Sequence, residues 1–273
     1  MSEKIIGQSD VVKEISKILD IFVASNAKIR PHFILAGSSG SGKSYSIKSL
    51  CKEKDIQMVE INAAQITKEG TSGNSLSKSL SPLANYKHRN AVVFVDEFDK
   101  LFISNNSNSS LANEITTGVQ NEFLKILESN TTQVYGEYGK YYDIDISRVL
   151  FVFAGAFNNE ERVTIDKLRN FGVKTEFLGR VGLVYNTNKL TLEDLFMILD
   201  NSDLLDIYLK LFDGVKREDV VSVIREYLTA NYENNTLGAR IINTLINQYF
   251  IKGGTLGSDD VEEIMFQTKL ELD

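Results

Sequence analysis

The residues with the plainest chemistry are Gly37, Ser38, Ser39, Gly40, Ser41, Gly42, Lys43 and Ser44, which fit the pattern G-x-x-x-x-G-K-[ST] without a gap. Glycines let a backbone wrap close to an anion with its N–H groups turned inward. A helix opening at the end of such a loop adds its positive end to the same anion. In this pattern the lysine, Lys43, reaches the β- and γ-phosphates of a nucleoside triphosphate, and the Ser44 hydroxyl ligates Mg²⁺. A Gly/Ser turn of no chemical purpose is the alternative. It is disfavoured because the apolar run 32–36 precedes the loop and a helical pattern over 44–52 follows it. A second feature, Ala91-Val-Val-Phe-Val-Asp96-Glu97, is an apolar strand that delivers two carboxylates to its end. Ligands of open α/β sheets bind at the carboxyl ends of strands. There Asp96 would hold the Mg²⁺ through water, and Glu97 would polarise a water for in-line attack on the γ-phosphate.

These residues need strands and helices to position them. Apolar runs at 32–36, 56–61, 91–95, 148–154 and 181–185 read as strands. They lack alternation, so they suit a sheet covered on both faces, and the helical patterns between them predict that it is parallel. Val11, Val12, Ile15, Ile18, Leu19 and Phe22 share one helical stripe, with Ser9 or Asp10 as N-cap. The run Ser104-Asn-Asn-Ser-Asn-Ser-Ser-Leu-Ala-Asn113 is almost wholly small and polar and predicts a loop. Residues 132–146 read as a β-hairpin around Gly136-Glu-Tyr-Gly139. From about residue 190 only helical periodicity remains, over 191–199, 204–212, 219–227 and 239–250. The expected organisation is an α/β nucleotide-binding domain over 1–189 and a small helical lid over 190–273, with ATP between them.

Composition narrows the function classes. The chain has 273 residues, enough for a core without disulfides or structural metal. A net charge of −7 argues against a strongly basic nucleic-acid binder. The one cysteine, Cys51, excludes an internal disulfide and a Cys-based zinc site, and the two histidines, His32 and His88, leave little for metal chemistry. No apolar run approaches the roughly 20 residues that span a bilayer, and no secretory leader is visible, so a soluble cytoplasmic protein is expected.

Taken in order along the chain, the motifs resemble those of the AAA+ ATPases, and within them the ClpX/HslU unfoldase branch. Ile5-Ile6-Gly7-Gln8 resembles the box that contacts adenine. Val95-Asp-Glu-Phe-Asp-Lys100 is similar to the extended acidic strand end. Gly118-Val-Gln-Asn-Glu-Phe-Leu-Lys-Ile-Leu-Glu128 resembles the GVQ helix, and Leu150-Phe-Val-Phe-Ala-Gly-Ala-Phe157 the sensor-1 strand. Glu176-Phe-Leu-Gly-Arg180 resembles the PEF.GR box, and Leu237-Gly-Ala-Arg240 the sensor-2 box. The resemblance implies an AAA+ P-loop NTPase fold with a five-stranded parallel sheet and a helical lid. It also implies a homo-oligomeric ring, a hexamer by analogy. In that ring Arg180 would be a finger reaching the neighbour's site, and Arg240 would contact the phosphates of its own subunit. A planar, permanently charged donor suits charge spread over γ-phosphate oxygens. The implied nucleotide set is Ile5, Ile6, residues 37–44, Tyr45, Asp96 and Arg240. The metal set is Ser44 and Asp96, and Asn158 is the nearest sensor-1 residue.

Departures from the family pattern bear on the substrate. The chain begins close to the ATPase module, without the cysteines of a zinc-binding adaptor domain. The segment 155–176 is short for a peptidase-docking loop, so pairing with ClpP is not expected. The pore-loop position reads Gly70-Thr71-Ser72-Gly73, with no aromatic to grip a polypeptide. Tyr138 at the hairpin tip, flanked by Tyr135, Tyr141 and Tyr142, either supplies that contact or belongs to ordinary cross-strand aromatic pairing. Lys78, Lys87, His88 and Arg89 form a loose basic cluster, better read as a solvated face than as a nucleic-acid contact. The favoured function is an ATP-driven remodeller of a protein client. The alternatives are an ATPase accessory to DNA transactions and an ATP-switched scaffold that scarcely turns over.

Overall fold

The computed structural model describes residues 5–67, 74–86, 88–102, 110–136, 139–254 and 256. The first helix, α1 (Ser9–Ala24), precedes β1 (Phe33–Ala36), α2 (Lys43–Glu53) and β2 (Gln57–Asn62). A short parallel pair follows, β3 (Ile66–Thr67) with β4 (Asn74–Ser75), then α3 (Leu76–Ser79), β5 (Ala91–Asp96) and α4 (Ser110–Glu128). The hairpin β6 (Thr131–Tyr135) and β7 (Tyr141–Asp145) leads into β8 (Val149–Gly155). Helices α5 (Ile165–Asn170) and α6 (Thr175–Arg180) and strand β9 (Leu183–Asn186) complete this part.

The five expected strands form one sheet in the order β2-β5-β8-β1-β9, and every neighbouring pair is parallel. The period of two along each strand sorts its side chains between two cores. Phe33, Leu35, Val92, Phe94, Leu150 and Val152 pack with Ile15, Leu19 and Phe22 of α1 and Ile47 and Leu50 of α2. Ile34, Val93, Val95, Phe151 and Phe153 face the other way, onto Phe123 of α4 and Phe177 of α6. Both faces are covered, which is why the strands read as unbroken apolar runs.

His32 and Cys51 are buried within this framework. His32 is 8% exposed, and its Nδ1 accepts the Phe151 N–H at 3.0 Å, so the imidazole is neutral. Burial, with help from nearby Arg30, pushes its pKa from 6.5 down to about 4. Burial also pushes the Cys51 thiol up to about 12, which leaves it inert as a nucleophile.

Some sequence expectations need correction. The N-cap of α1 is Gln8, which makes no side-chain capping bond, and Ser9 and Asp10 lie inside the helix. Gln8 is 1% exposed, so the entry to α1 is fixed by burial rather than by a short polar cap. Residues 110–113, expected in a loop, begin α4. Extending a helix that is already nucleated and packed needs little local preference. The rest of that run, 104–109, lies outside the described residues, as do Gly70, Thr71, Ser72, Gly73, Lys87, Tyr138 and the segment after 256. The hairpin expected over 132–146 is antiparallel from Thr131 opposite Asp145 to Tyr135 opposite Tyr141. Tyr135 and Tyr141 meet edge to face at 5.4 Å, the cross-strand pairing considered above.

Contacts divide the chain into two compact units, one of 1–38 with 42–187 and one of 39–41 with 188–273. In the second, α7 (Leu192–Asp200), α8 (Asp203–Leu211), α9 (Arg217–Asn231) and α10 (Arg240–Ile251) surround Leu195, Leu205, Ile224, Leu228 and Ile246. Thr191 and Asp194 form a reciprocal capping box at the start of α7. Tyr208 stacks on Phe250 at 4.5 Å, and its hydroxyl donates to Asn247.

Two predictions follow from the packing. Phe123 is fully buried and touches the rings of Phe98 and Phe153, so Phe123→Ala should cost about 3–5 kcal/mol of unfolding free energy in a denaturant titration. Ile21→Ala, at a site 47% exposed, should stay within about 0.5 kcal/mol. For His32 the unfolded chain takes up a proton near pH 6.5 and the folded chain only near pH 4. Its contribution is therefore complete above pH 6.5 and is lost as pH falls toward 4, by up to about 3 kcal/mol. Stability of His32→Gln, measured alongside the wild type, should fall less steeply across that window; parallel curves would refute the assignment.

Candidate functional site

The sheet register brings the chemically loaded residues to one end. Asn62 lies opposite Asp96, and Ala36 lies opposite both Gly155 and Asn186, so β2, β5, β8, β1 and β9 finish side by side. The glycine loop leaves β1 at that end and turns into α2. Gly37, Gly40 and Gly42 have φ values of 153°, 72° and 90°, conformations that side chains rarely tolerate. Gly42 is the N-cap of α2 and offers no side chain, so the first N–H groups of the helix have no side-chain cap. Lys43 opens the helix, and its Nζ donates to Gly37 O at 2.6 Å and Ser38 O at 2.9 Å. The ammonium thus rests on carbonyls of the loop that a phosphate would occupy. Ser41 is 2% exposed, Ser44 is half-buried and Tyr45 is 47% exposed.

The carboxylates stand at the end of β5. Asp96 is half-buried, and its Oδ1 accepts the N–H of Glu97 at 2.8 Å. Glu97 is exposed with φ of 54°, a left-handed conformation that costs a non-glycine residue about 1–3 kcal/mol. Its side chain is fixed by Asn62, whose Nδ2 donates to Glu97 Oε2 at 3.0 Å. The other end of that amide is also occupied, since Asn62 Oδ1 accepts the Ala64 N–H at 2.9 Å. An amide held at both ends is a rigid support for a carboxylate.

Sequence reasoning missed Asn62, and it also missed Asp99. The Asp99 side chain is 1% exposed and accepts the Phe157 N–H through Oδ2 at 3.2 Å. A Cβ on Gly155 would come within 2.7 Å of Asp99 Oδ1, so the strand end must be glycine for this carboxylate to fit. Phe157, Asn158 and Asn159 have φ of 46°, 57° and 56°, three left-handed residues in succession. Asn158 is exposed in the middle of that turn, and Phe157 is buried beneath it.

The remaining candidates lie elsewhere. Ile5 packs against the core on the α1 side of the sheet, and Ile6 is half-buried. Arg180 ends α6 and forms an ion pair with Glu128, the last residue of α4, at 2.7 Å. Its guanidinium donates to Glu128 Oε1 from both Nε and Nη2. In the second unit, Arg240 Nη1 donates to Ser39 Oγ at 3.1 Å, and Ala239 N–H donates to Gly40 O at 2.9 Å. A Cβ on Gly40 would lie 1.9 Å from Leu237 O, so this approach requires glycine. A groove of about 400 Å³ sits at the amino ends of the strands, near Gln57, Asn90 and Arg148, and includes no motif residue. Among the described residues no group of three or more His, Cys, Asp or Glu could hold a metal by itself.

Comparison with known proteins agrees with the geometry. Residues 33–176 match the ATPase family associated with various cellular activities (AAA). The chain is 25% identical to the ATP-dependent Clp protease ATP-binding subunit ClpX of Bacteroides thetaiotaomicron, covering 99% of this chain and 77% of that protein. It is 26% identical to ClpX of Bacteroides fragilis, over 90% and 72% of the two chains. It is 28% identical to ClpX 2 of Wolinella succinogenes, over 69% and 57%. With the parallel sheet, the glycine loop and the paired carboxylates in place, the chain belongs to the AAA ATPase family and is a ClpX-like AAA+ ATPase.

Proposed function

We propose that this ATPase works as one protomer of a homo-oligomeric ring, a hexamer by analogy, that couples ATP hydrolysis to remodelling of a protein client. The observation that carries the reading is the pairing of two incomplete sets. One protomer holds a phosphate loop and an oriented base, while its Arg180, 54% exposed, is turned onto Glu128 at the end of α4. The amides of residues 37–44 and the N-terminus of α2 hold the phosphates, and Lys43 leaves the Gly37 and Ser38 carbonyls for the β- and γ-phosphates. Ile5, Ile6 and Tyr45 flank the nucleotide, and Arg240 reaches its phosphates from a position already on Ser39. Ser44 and Asp96 fit a hard cation, since a hydroxyl and a carboxylate are oxygen donors that leave room for phosphate and water ligands. Held by Ser44 and Asp96, Mg²⁺ would neutralise phosphate charge. Glu97 takes a proton from the attacking water as its oxygen bonds the γ-phosphorus. The bond to the β-phosphate oxygen breaks in line, and Lys43 meets the charge left on ADP. Arg180 of the adjoining protomer meets the charge on the γ-phosphoryl oxygens.

The names of the relatives connect them to a Clp protease. For this chain we favour action without that peptidase. Residues 155–176 are taken up by the strand end, the Phe157–Asn159 turn, α5 and the start of α6, which leaves little length for a docking loop. A DNA-directed role has less support. Lys78 lies over the Tyr135 ring at 5.1 Å, and the chain as a whole carries a net charge of −7.

Three variants and a stimulation assay test the reading. Lys43→Ala should abolish detectable binding of a fluorescent ATP analogue; unchanged affinity would remove the phosphate-loop assignment. Glu97→Gln should keep that affinity and lower turnover by about a hundred-fold or more. Arg180→Ala should lower turnover about a thousand-fold when it makes up the whole ring. Its sites should recover when mixed with Glu97→Gln subunits, whose arginines are intact. An unfolded protein should raise wild-type turnover. Stimulation by single-stranded DNA instead, fading steeply with salt, would favour the DNA reading.

A further inference from the structure

We infer that Glu128 is a positioning residue for Arg180, turning its guanidinium so that one edge faces outward for a phosphate of the adjoining protomer. The inference rests on the reading of Arg180 as a trans-acting finger and specifies how that finger is aimed.

A guanidinium has five N–H donors in a fixed planar fork. Two lie along one side, on Nε and Nη2. Two more, on Nη1 and Nη2, point forward as a parallel pair. Here Nε donates to Glu128 Oε1 at 3.1 Å, and Nη2 donates to the same oxygen at 2.7 Å. One carboxylate oxygen therefore satisfies the side edge, and the forward pair is turned away from it. Two parallel donors match two oxygens of a phosphoryl group, which is the geometry in which arginine outperforms lysine. Glu128 thus fixes the plane of the fork without occupying the edge that meets phosphate.

The backbone supports the same conclusion. Glu128 and Arg180 are each the last residue of a helix, and those helices are anchored by Phe123 and Ile126 on α4 and by Phe177 and Leu178 on α6, all in one core. A carboxylate at a helix C-terminus faces the negative end of the helix dipole, an unfavourable place unless a cation is beside it. Arg180 is that cation. Both side chains are about half exposed, at 54% for Arg180 and 50% for Glu128. An exposed pair adds little to stability. Its consequence is directional: a long side chain that would otherwise sample many rotamers is biased toward one.

The test uses the full-length chain and steady-state ATP turnover. Glu128→Ala should lower kcat about ten-fold or more through misplacement of the fork, with KM for ATP changed less than about two-fold. Glu128→Gln keeps an acceptor oxygen at the same place and should retain most of the rate. Mixing Glu128→Ala subunits with Glu97→Gln subunits should restore turnover at the Glu128→Ala sites, because their own phosphate loops are intact and the incoming arginines are correctly held. A fold defect would not be repaired by mixing. Wild-type or faster turnover in Glu128→Ala, or no recovery on mixing, overturns the inference. Arg180→Ala separates the two levels. If it stays active, the finger reading itself fails; if it is inactive while Glu128→Ala is normal, only the positioning role fails.

Discussion

A triphosphate concentrates negative charge, and this chain is itself acidic, with a net charge of −7. It can hold such a ligand only where fixed positive potential is supplied locally. The uncapped first turn of α2 is one such source, and a glycine loop that turns its N–H groups toward an anion would be another. Lys43 completes it, and the bonds from its Nζ to Gly37 O and Ser38 O show how that charge is stored inside the loop. On the proposed reading the ammonium already sits beside its ligand, so the exchange of carbonyl for phosphate would need little rearrangement. Everything else in the α/β unit serves to deliver complementary groups to this spot.

The delivery depends on strand register. A shift of one residue between β2 and β5 would move Asn62 away from Asp96 and turn its side chain to the opposite face. The cores on both faces of the sheet oppose such a slip, because Val59 and Ile61 of β2, residues 91–95 of β5 and all of β1 and β8 are buried. Rigidity below then permits strain above. Glu97 and the Phe157–Asn159 turn hold left-handed conformations at the strand ends, each secured by a neighbour: Asn62 fixes the first and Asp99 the second. Backbone strain gathers at the carboxyl end because that is where the packed sheet stops dictating conformation and chemistry begins to.

How much of this was legible follows from sequence separation. The glycine loop and the Asp96-Glu97 pair are contiguous, so their chemistry could be read directly, as could the five strands from their apolar runs. Asn62 and Glu97 are 35 residues apart, Glu128 and Arg180 are 52, and Asp99 and Phe157 are 58. None of these pairs has a local signature. Each exists only because two elements pack in one register, which periodicity does not reveal. The same reasoning explains the α1 cap and the start of α4. Local preference pointed to Ser9 or Asp10 and to a loop through Asn113, while burial of Gln8 and growth of a packed helix decided otherwise.

The three supporting residues share a logic that distinguishes them from the motif residues. Asn62, Asp99 and Glu128 each bond to a group that is strained or exposed, and none needs to touch nucleotide. Asn62 is neutral, so it steadies Glu97 without neutralising the carboxylate proposed to accept a proton. Glu128 is charged, so it steadies Arg180 while offsetting the cost of its own position at a helix end. Asp99 is a buried carboxylate, held by a backbone N–H and by Lys100 at 3.8 Å, and it ties the end of β5 to the end of β8. A neutral support suits a base, and an acidic support suits an arginine whose charge is permanent. At Asn62 and Glu128 the choice of side chain therefore follows from the protonation behaviour of the group it holds, whereas at Asp99 it follows from the need for a buried acceptor.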